Sequence, residues 1–240
     1  MIGPAGYIVM AIRSIGFDAD DTLWHDARDF NAADGHLHEL IARHVDPAEF
    51  RVEMAALHVH NLDSYGYGVN GYMLSMLEVM LSRFDGAIPS SVAREVFSVG
   101  RSLLHREVEL LAGVEAALSS LDGRVERVLV TKGDLLHQHR KLGLSGLAAH
   151  FDRIEVVSQK TPDTYRRIFG PQDADDPAAA MIGNSVRSDI LPALAAGLWA
   201  LHIPHDLTWD HEDAPPPVDN ARYRHFESFA DAIGWLRDRI

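Results

Sequence analysis

No cysteine occurs among the 240 residues, which excludes disulfide bridges and thiolate-held zinc and is compatible with a reducing compartment. Basic residues are scarce as well. Against 35 Asp and Glu there are 22 Lys and Arg, a formal charge of −13, so no broad basic face is available to gather the phosphates of a nucleic acid. No apolar run approaches the roughly 18 residues of a membrane span. The opening MIGPAGYIVMAIRS is briefly apolar but has no basic region ahead of it, so it reads poorly as a signal peptide. The expectation is a cytoplasmic protein with neither nucleic-acid nor membrane partners and an unknown oligomeric state. There is also no internal repeat and no low-complexity tract. What remains is ordinary globular composition, 47% apolar and 24% charged, in a 26.6 kDa chain long enough for one large domain or a domain with an insertion.

Against that background the stretch FDADDTLW, residues 17–24, stands out. Asp18, Asp20 and Asp21 are crowded directly after the apolar run IRSIGF. Like carboxylates held close raise one another's pKa, so such a cluster needs a cation, a proton or open solvent. SIGF is one of several short apolar runs that read as buried strands. The others are RVLV before Thr131, IEVV before Ser158, AAMI before Gly183 and LWALHI at 198–203. Helical spacing separates them in VEAALSSL (114–121), LHQHRKLGL (136–144), PDTYRRIF (162–169) and SDILPALAAG (188–197). The alternation predicts an α/β fold with a Rossmann-like parallel sheet, whose ligands bind beyond the carboxyl ends of the strands. Asp18, Thr131, Lys160 and Asn184 all fall at or just past such ends.

One connection is too long, because the first strand ends near Asp18 and the second near Thr131, whereas a plain βαβ unit needs about 30 residues. The intervening stretch reads as four helices. They run through GHLHELIARHV, from an Asp46 N-cap followed by Pro47 and Glu49, through NGYMLSMLEVMLSRF, and after Pro89 through REVFSVGRSLLHREV. The expected organisation is a catalytic core of residues 1–26 and 108–240 with an inserted all-helical cap domain at 27–107. HEDAPPPVDNARY, residues 211–223, reads as a surface loop before a last helix.

In order and spacing, Asp18-Ala-Asp20-Asp21-Thr22, then Thr131, then Lys160, then Gly183-Asn184-Ser185-Val-Arg-Ser-Asp189 resembles the four motifs of the haloacid dehalogenase superfamily of phosphohydrolases. The resemblance covers most of the chain. It implies a helical cap, magnesium dependence and an aspartyl phosphate intermediate on a small phosphorylated metabolite. By that likeness Asp18 is the nucleophile, Asp20 the general acid and base, and Thr131 and Lys160, with Lys132 beside them, hold the phosphate. Asp18, Asp20, Asn184 and Asp189 form the metal end. A dehalogenase of this superfamily carries no carboxylate two residues after the nucleophile, so Asp20 speaks for phosphate chemistry. Two alternatives stay open: a phosphomutase, and a binding or regulatory module weakened because Asn184 replaces the usual aspartate.

The chemistry also follows from the residues. A carboxylate attacking phosphorus splits one hard displacement into two easier ones, and a second carboxyl must protonate the leaving oxygen and later activate water. Nucleophile and phosphate are both anionic, so a lysine and an oxygen-loving divalent cation are needed between them. Asn184 keeps an oxygen ligand but loses a charge, which predicts weaker magnesium binding. Other patterns fail. Gly66-Tyr-Gly68-Val-Asn-Gly71 matches a dinucleotide fingerprint but follows no strand, and reads as a turn between cap helices with Tyr65, Tyr67 and Asn70 as possible contacts. FDADDT is no calcium loop, because Leu23 stands where glycine belongs and Asp29 where glutamate does. The histidine pairs His36/His38, His58/His60 and His137/His139 point to opposite sides of a helix and cannot share zinc.

Overall fold

A computed structural model describes residues 11–85, 87–173 and 177–240; most of the apolar opening, residues 1–10, lies outside the described residues. Strands β1 (Ser14–Phe17), β2 (Glu126–Lys132), β3 (Arg153–Val157), β4 (Ala179–Gly183), β5 (Trp199–His202) and β6 (Tyr223–His225) form one parallel sheet in the order β3-β2-β1-β4-β5-β6. The chain leaves β1 toward β2 on one side and returns to β4 on the other, so β1 is flanked by the two strands where a doubly wound sheet opens its crevice. Register sets what meets there. Phe17 is level with both Leu129 and Ile182, which brings Asp18, Thr131 and Asn184 out at one edge.

Side chains alternate between the two faces of the sheet, as a two-residue period requires. Ile15, Phe17, Leu129 and Ile182 pack beneath α5 (Val114–Ser119) and α9 (Phe229–Arg237). Val128, Val130 and Met181 face the other way, toward α7 (Pro162–Phe169) and α8 (Leu191–Ala195). Burial of both faces explains why these strands read as apolar runs.

Between β1 and β2 stand α1 (Ala27–Ile41), α2 (Pro47–Tyr65), α3 (Val69–Arg83) and α4 (Ser90–His105). They share a core of their own around Leu37, Phe50, Met76, Met80 and Val96. The Asp46 carboxylate accepts from Ala48 N at 2.9 Å and Glu49 N at 3.0 Å, satisfying two otherwise unpaired donors at the start of α2. Among the described residues no helix is long and apolar enough to cross a membrane.

Two expectations are refined. The helix expected at 188–197 is present through Ala195, but it opens with a wide π-type turn, Val186–Ile190, that runs directly into α8 at Leu191 and Pro192. Proline lacks an N–H and is tolerated only where a helix begins. The presumed surface loop at 211–223 delivers its last residue into β6, paired to β5 through Tyr223 and Ala200. A three-residue strand is too short to show alternation, and of its three residues Tyr223 alone is buried.

Candidate active site

Asp18 is fixed before its side chain does anything, because its N–H donates to Ile182 O at 2.9 Å across the β1–β4 pair. The side chain is buried, with Oδ1 accepting from Lys160 Nζ. Lys160, between β3 and α7, also donates to Asp189 Oδ1 at 2.6 Å, so one buried ammonium bridges two carboxylates. Burial, then repulsion from Asp189, pushes the Asp18 carboxyl up to about 7 against the opposing pull of Lys160. Burial lowers the Lys160 ammonium, but its two carboxylates outweigh that and hold it charged, above its ordinary value.

Asp189 is fully buried and its Oδ2 accepts from Ser185 N at 3.0 Å. The carboxylate lies so close to Gly183 that a Cβ there would sit 2.2 Å from Oδ2, which is why glycine ends β4. Asp189 therefore positions Lys160 and the turn after β4.

Asp20 faces elsewhere. Asp21 adopts φ 59° and accepts from Asp26 N and Ala27 N, reversing the chain after β1. This turn directs the Asp20 carboxylate to Lys141 Nζ at 2.6 and 2.7 Å, Gln138 Nε2 at 2.9 Å and Trp24 Nε1 at 2.6 Å. Burial alone would raise this carboxyl, but Lys141 and the donated hydrogen bonds bring it down to about 2. Lys141 also reaches Asp26 at 3.0 Å, where the chain enters the helical insertion.

Asn184 marks a point where oxygens converge. With its nitrogen turned inward, its amide donates to Asp18 Oδ2 at 3.1 Å, Thr22 Oγ1 at 3.2 Å and the Asp20 carbonyl at 3.2 Å. Turned the other way, its oxygen would oppose the Asp18 and Asp20 oxygens with no donor except Thr22. That position calls for a hydrogen-bond donor or a cation. A cation there would meet a carboxylate, a main-chain carbonyl and an amide oxygen, a hard donor set that fits magnesium. Among the described residues no three His, Asp or Glu side chains are gathered as a ready-made cage; here two of the three oxygens are not from carboxylates.

Thr131 is buried at the end of β2 and lines the same cavity. Lys132 also lines it, but its Nζ donates to Ser188 Oγ at 2.7 Å and Glu212 Oε1 at 2.5 Å beneath the Tyr67 ring, 3.9 Å from its centroid. The cavity measures about 850 Å³ and runs from Asp18, Thr131 and Lys160 to Phe30, His58 and Tyr72 on the insertion. Gly66 and Gly68, at φ 74° and 102°, end α2 and begin α3, and a Cβ on Gly71 would lie 2.4 Å from Gly66 O. The fingerprint-like GYGVNG is thus a tight interhelical turn at Gly66–Gly68, presenting Tyr67, that runs into the first turn of α3. His36 and His38 face Glu95 and Asp34 separately.

Sequence reading missed Gln138, Lys141 and Glu212. The first two carried a signal, polar residues on the buried face of α6 (Leu135–Ser145), whereas Glu212 sat in a segment without periodicity.

No family model matches the chain. In three dimensions it resembles a haloacid dehalogenase-like family hydrolase from Xanthomonas campestris, with TM-score 0.82 and 33% identity over 95% of this chain and 91% of that one. A HAD-hydrolase from Bacillus subtilis, bound to magnesium, shares the fold with TM-score 0.62 at 21% identity, covering 95% and 99% of the two chains. Over 149 residues the chain is 24% identical to N-acylneuraminate-9-phosphatase of Homo sapiens, spanning 59% of its own length and 56% of that protein.

Proposed function

The chain belongs to the haloacid dehalogenase-like hydrolase family, and on that premise we propose that it is a magnesium-dependent phosphohydrolase working through an aspartyl phosphate on Asp18. The observation that carries this reading is the pairing, on one turn, of a buried Asp18 bridged by Lys160 with a second carboxylate, Asp20, held separately by Lys141. A halide leaves without a proton, whereas an alkoxide needs one, so the second carboxylate has work only if the leaving atom is oxygen.

In the first step Asp20, turned from Lys141 and protonated by solvent, gives its proton to the departing oxygen as an Asp18 oxygen bonds to phosphorus and the ester P–O bond breaks. In the second, water adds to phosphorus and gives its proton to Asp20, and the bond to Asp18 breaks to release phosphate. The ionised state in which Lys141 holds Asp20 suits that second transfer. Lys160 and Thr131 hold the phosphoryl oxygens, and Asp189 keeps Lys160 in place. Lys132 adds positive potential at the same sheet edge while Glu212 balances it.

Asp18, the Asn184 amide oxygen and the Asp20 carbonyl would hold magnesium, with Asp189 behind them. When bound, magnesium supplies the positive charge that lets an anionic nucleophile approach an anionic phosphate. We assign residues 27–107 as the cap and residues 1–26 and 108–240 as the core, in a cytoplasmic protein. The matched phosphatase makes a phosphorylated sugar acid the first substrate to try, and the cavity has room for a leaving group of that size.

The test is phosphate release from an aryl phosphate with magnesium, by wild type and by Asp18→Asn. The variant is expected to keep the wild-type circular dichroism spectrum and lose activity by a factor of at least about 1,000. Equal turnover by a folded Asp18→Asn protein would remove Asp18 as the nucleophile.

A further inference from the structure

The segment joining β5 to β6 does not run away from the site. Resting on the hydrolase reading above, the geometry points to His205–Glu212 as a strap that forms one wall of the leaving-group cavity, with Trp209 as a specificity-determining residue for phosphate esters whose leaving group presents a ring face.

The strap is anchored at one end by a half-buried cluster. Glu212 Oε2 accepts from Ser185 Oγ at 2.8 Å and from Ser188 Oγ, while Oε1 accepts from Lys132 Nζ. Burial would raise the Glu212 carboxyl, but Lys132 and these hydroxyls bring it to about 2, so the anchor is ionic at neutral pH. Arg187 adds a bond to His211 O at 2.9 Å. Lys132, Ser185 and Ser188 neighbour Thr131, Asn184 and Asp189, so the anchor is attached to the phosphate end of the cavity.

Three residues before the anchor, Trp209 leaves the core and packs on the helical insertion. Its ring centroid lies 5.3 Å from that of His58 on α2. His58 lies 5.4 Å from Tyr72, and Tyr72 lies 4.7 Å from Phe30, giving a continuous row of rings along the cavity. Trp209 also packs against His211, 4.8 Å between ring centroids, yet keeps 38% of its surface exposed where it lines the cavity. A planar or C–H-rich ring laid against that exposed part of the indole would remove it from water, whereas a short acyclic leaving group offers little surface to cover it.

The experiment measures kcat and KM of the full chain with magnesium on three esters: an aryl phosphate, a hexose 6-phosphate and glycerol 3-phosphate. Trp209→Ala is expected to lower the ratio of kcat/KM for the ring esters to that for glycerol 3-phosphate by about three- to tenfold, mainly through KM. Trp209→Phe should restore most of it. Glu212→Gln should reproduce the ratio change and speed chymotrypsin cleavage after Trp209, read by mass spectrometry. A uniform loss across all three esters in Trp209→Ala, or unchanged ratios, overturns the selection while leaving the hydrolase reading intact. A wild type inactive on every phosphate ester overturns both.

Discussion

Single residues carry the site's electrostatics, and Asn184 is the most informative. Its amide is the donor that keeps Asp18 Oδ2 and the Asp20 carbonyl apart from a third oxygen. Asn184→Asp replaces that donor with a charged acceptor beside Asp18, so the variant is expected to melt lower than wild type without magnesium. The same added charge should tighten the cation: half-saturating magnesium should fall about fivefold or more, equivalent to about 1 kcal/mol, and the magnesium-induced rise in Tm should be larger than in wild type. Magnesium titrations followed by calorimetry decide this, and identical titrations would take Asn184 out of the metal site. Asp20→Ala should slow alkyl phosphates far more than aryl phosphates, because an aryl oxide departs with little protonation. Equal losses on both would argue against proton transfer by Asp20. At Gly183 any side chain collides with Asp189, so Gly183→Ala is expected to displace the partner of Lys160 and cut kcat by orders of magnitude.

At the scale of elements, the strap anchor has a pH dependence whose sign follows from its carboxyl. Glu212 lies at about 2 in the folded chain against an ordinary 4.5, so its contribution to stability is present above pH 4.5 and lost as pH falls toward 2. Wild type should exceed Glu212→Gln in stability at pH 7 by on the order of 1–3 kcal/mol, and the two denaturation midpoints should converge across that acid window. Parallel curves down to pH 2 would mean that Lys132 does not depend on this carboxylate. On the insertion, Asp46→Ala removes a cap that satisfies two backbone donors of α2 and should cost about 1 kcal/mol, read as a lower urea midpoint with unchanged slope. This cap was legible in the sequence because Asp-Pro-Ala-Glu is a local signal. The strap was not, because its meaning lies in Lys132 and the serine pair, far from it along the chain.

For the whole molecule, the separate core of α1–α4 predicts separable melting. Met76 is fully buried among these helices, and Met76→Ala is expected to cost about 2–5 kcal/mol there. In calorimetry this should lower one transition while leaving a second, magnesium-sensitive one in place. A single transition that shifts as a unit would show the insertion and the sheet to be one cooperative body.

Alternation of apolar runs with helical spacing determined the parallel sheet and the long helical connection, because burial of both sheet faces and a 3.6-residue period are written locally. Asp18, Thr131, Lys160 and Asn184 were also readable, since a level register brings successive strand ends to one edge. Only the tertiary structure decided where their charges point. The turn at Asp21 aims Asp20 at Lys141, Asp189 reaches the site through Lys160, and Lys132 meets a glutamate 80 residues away. Those outcomes depend on which opposite charges are desolvated together, and a one-dimensional pattern does not record that.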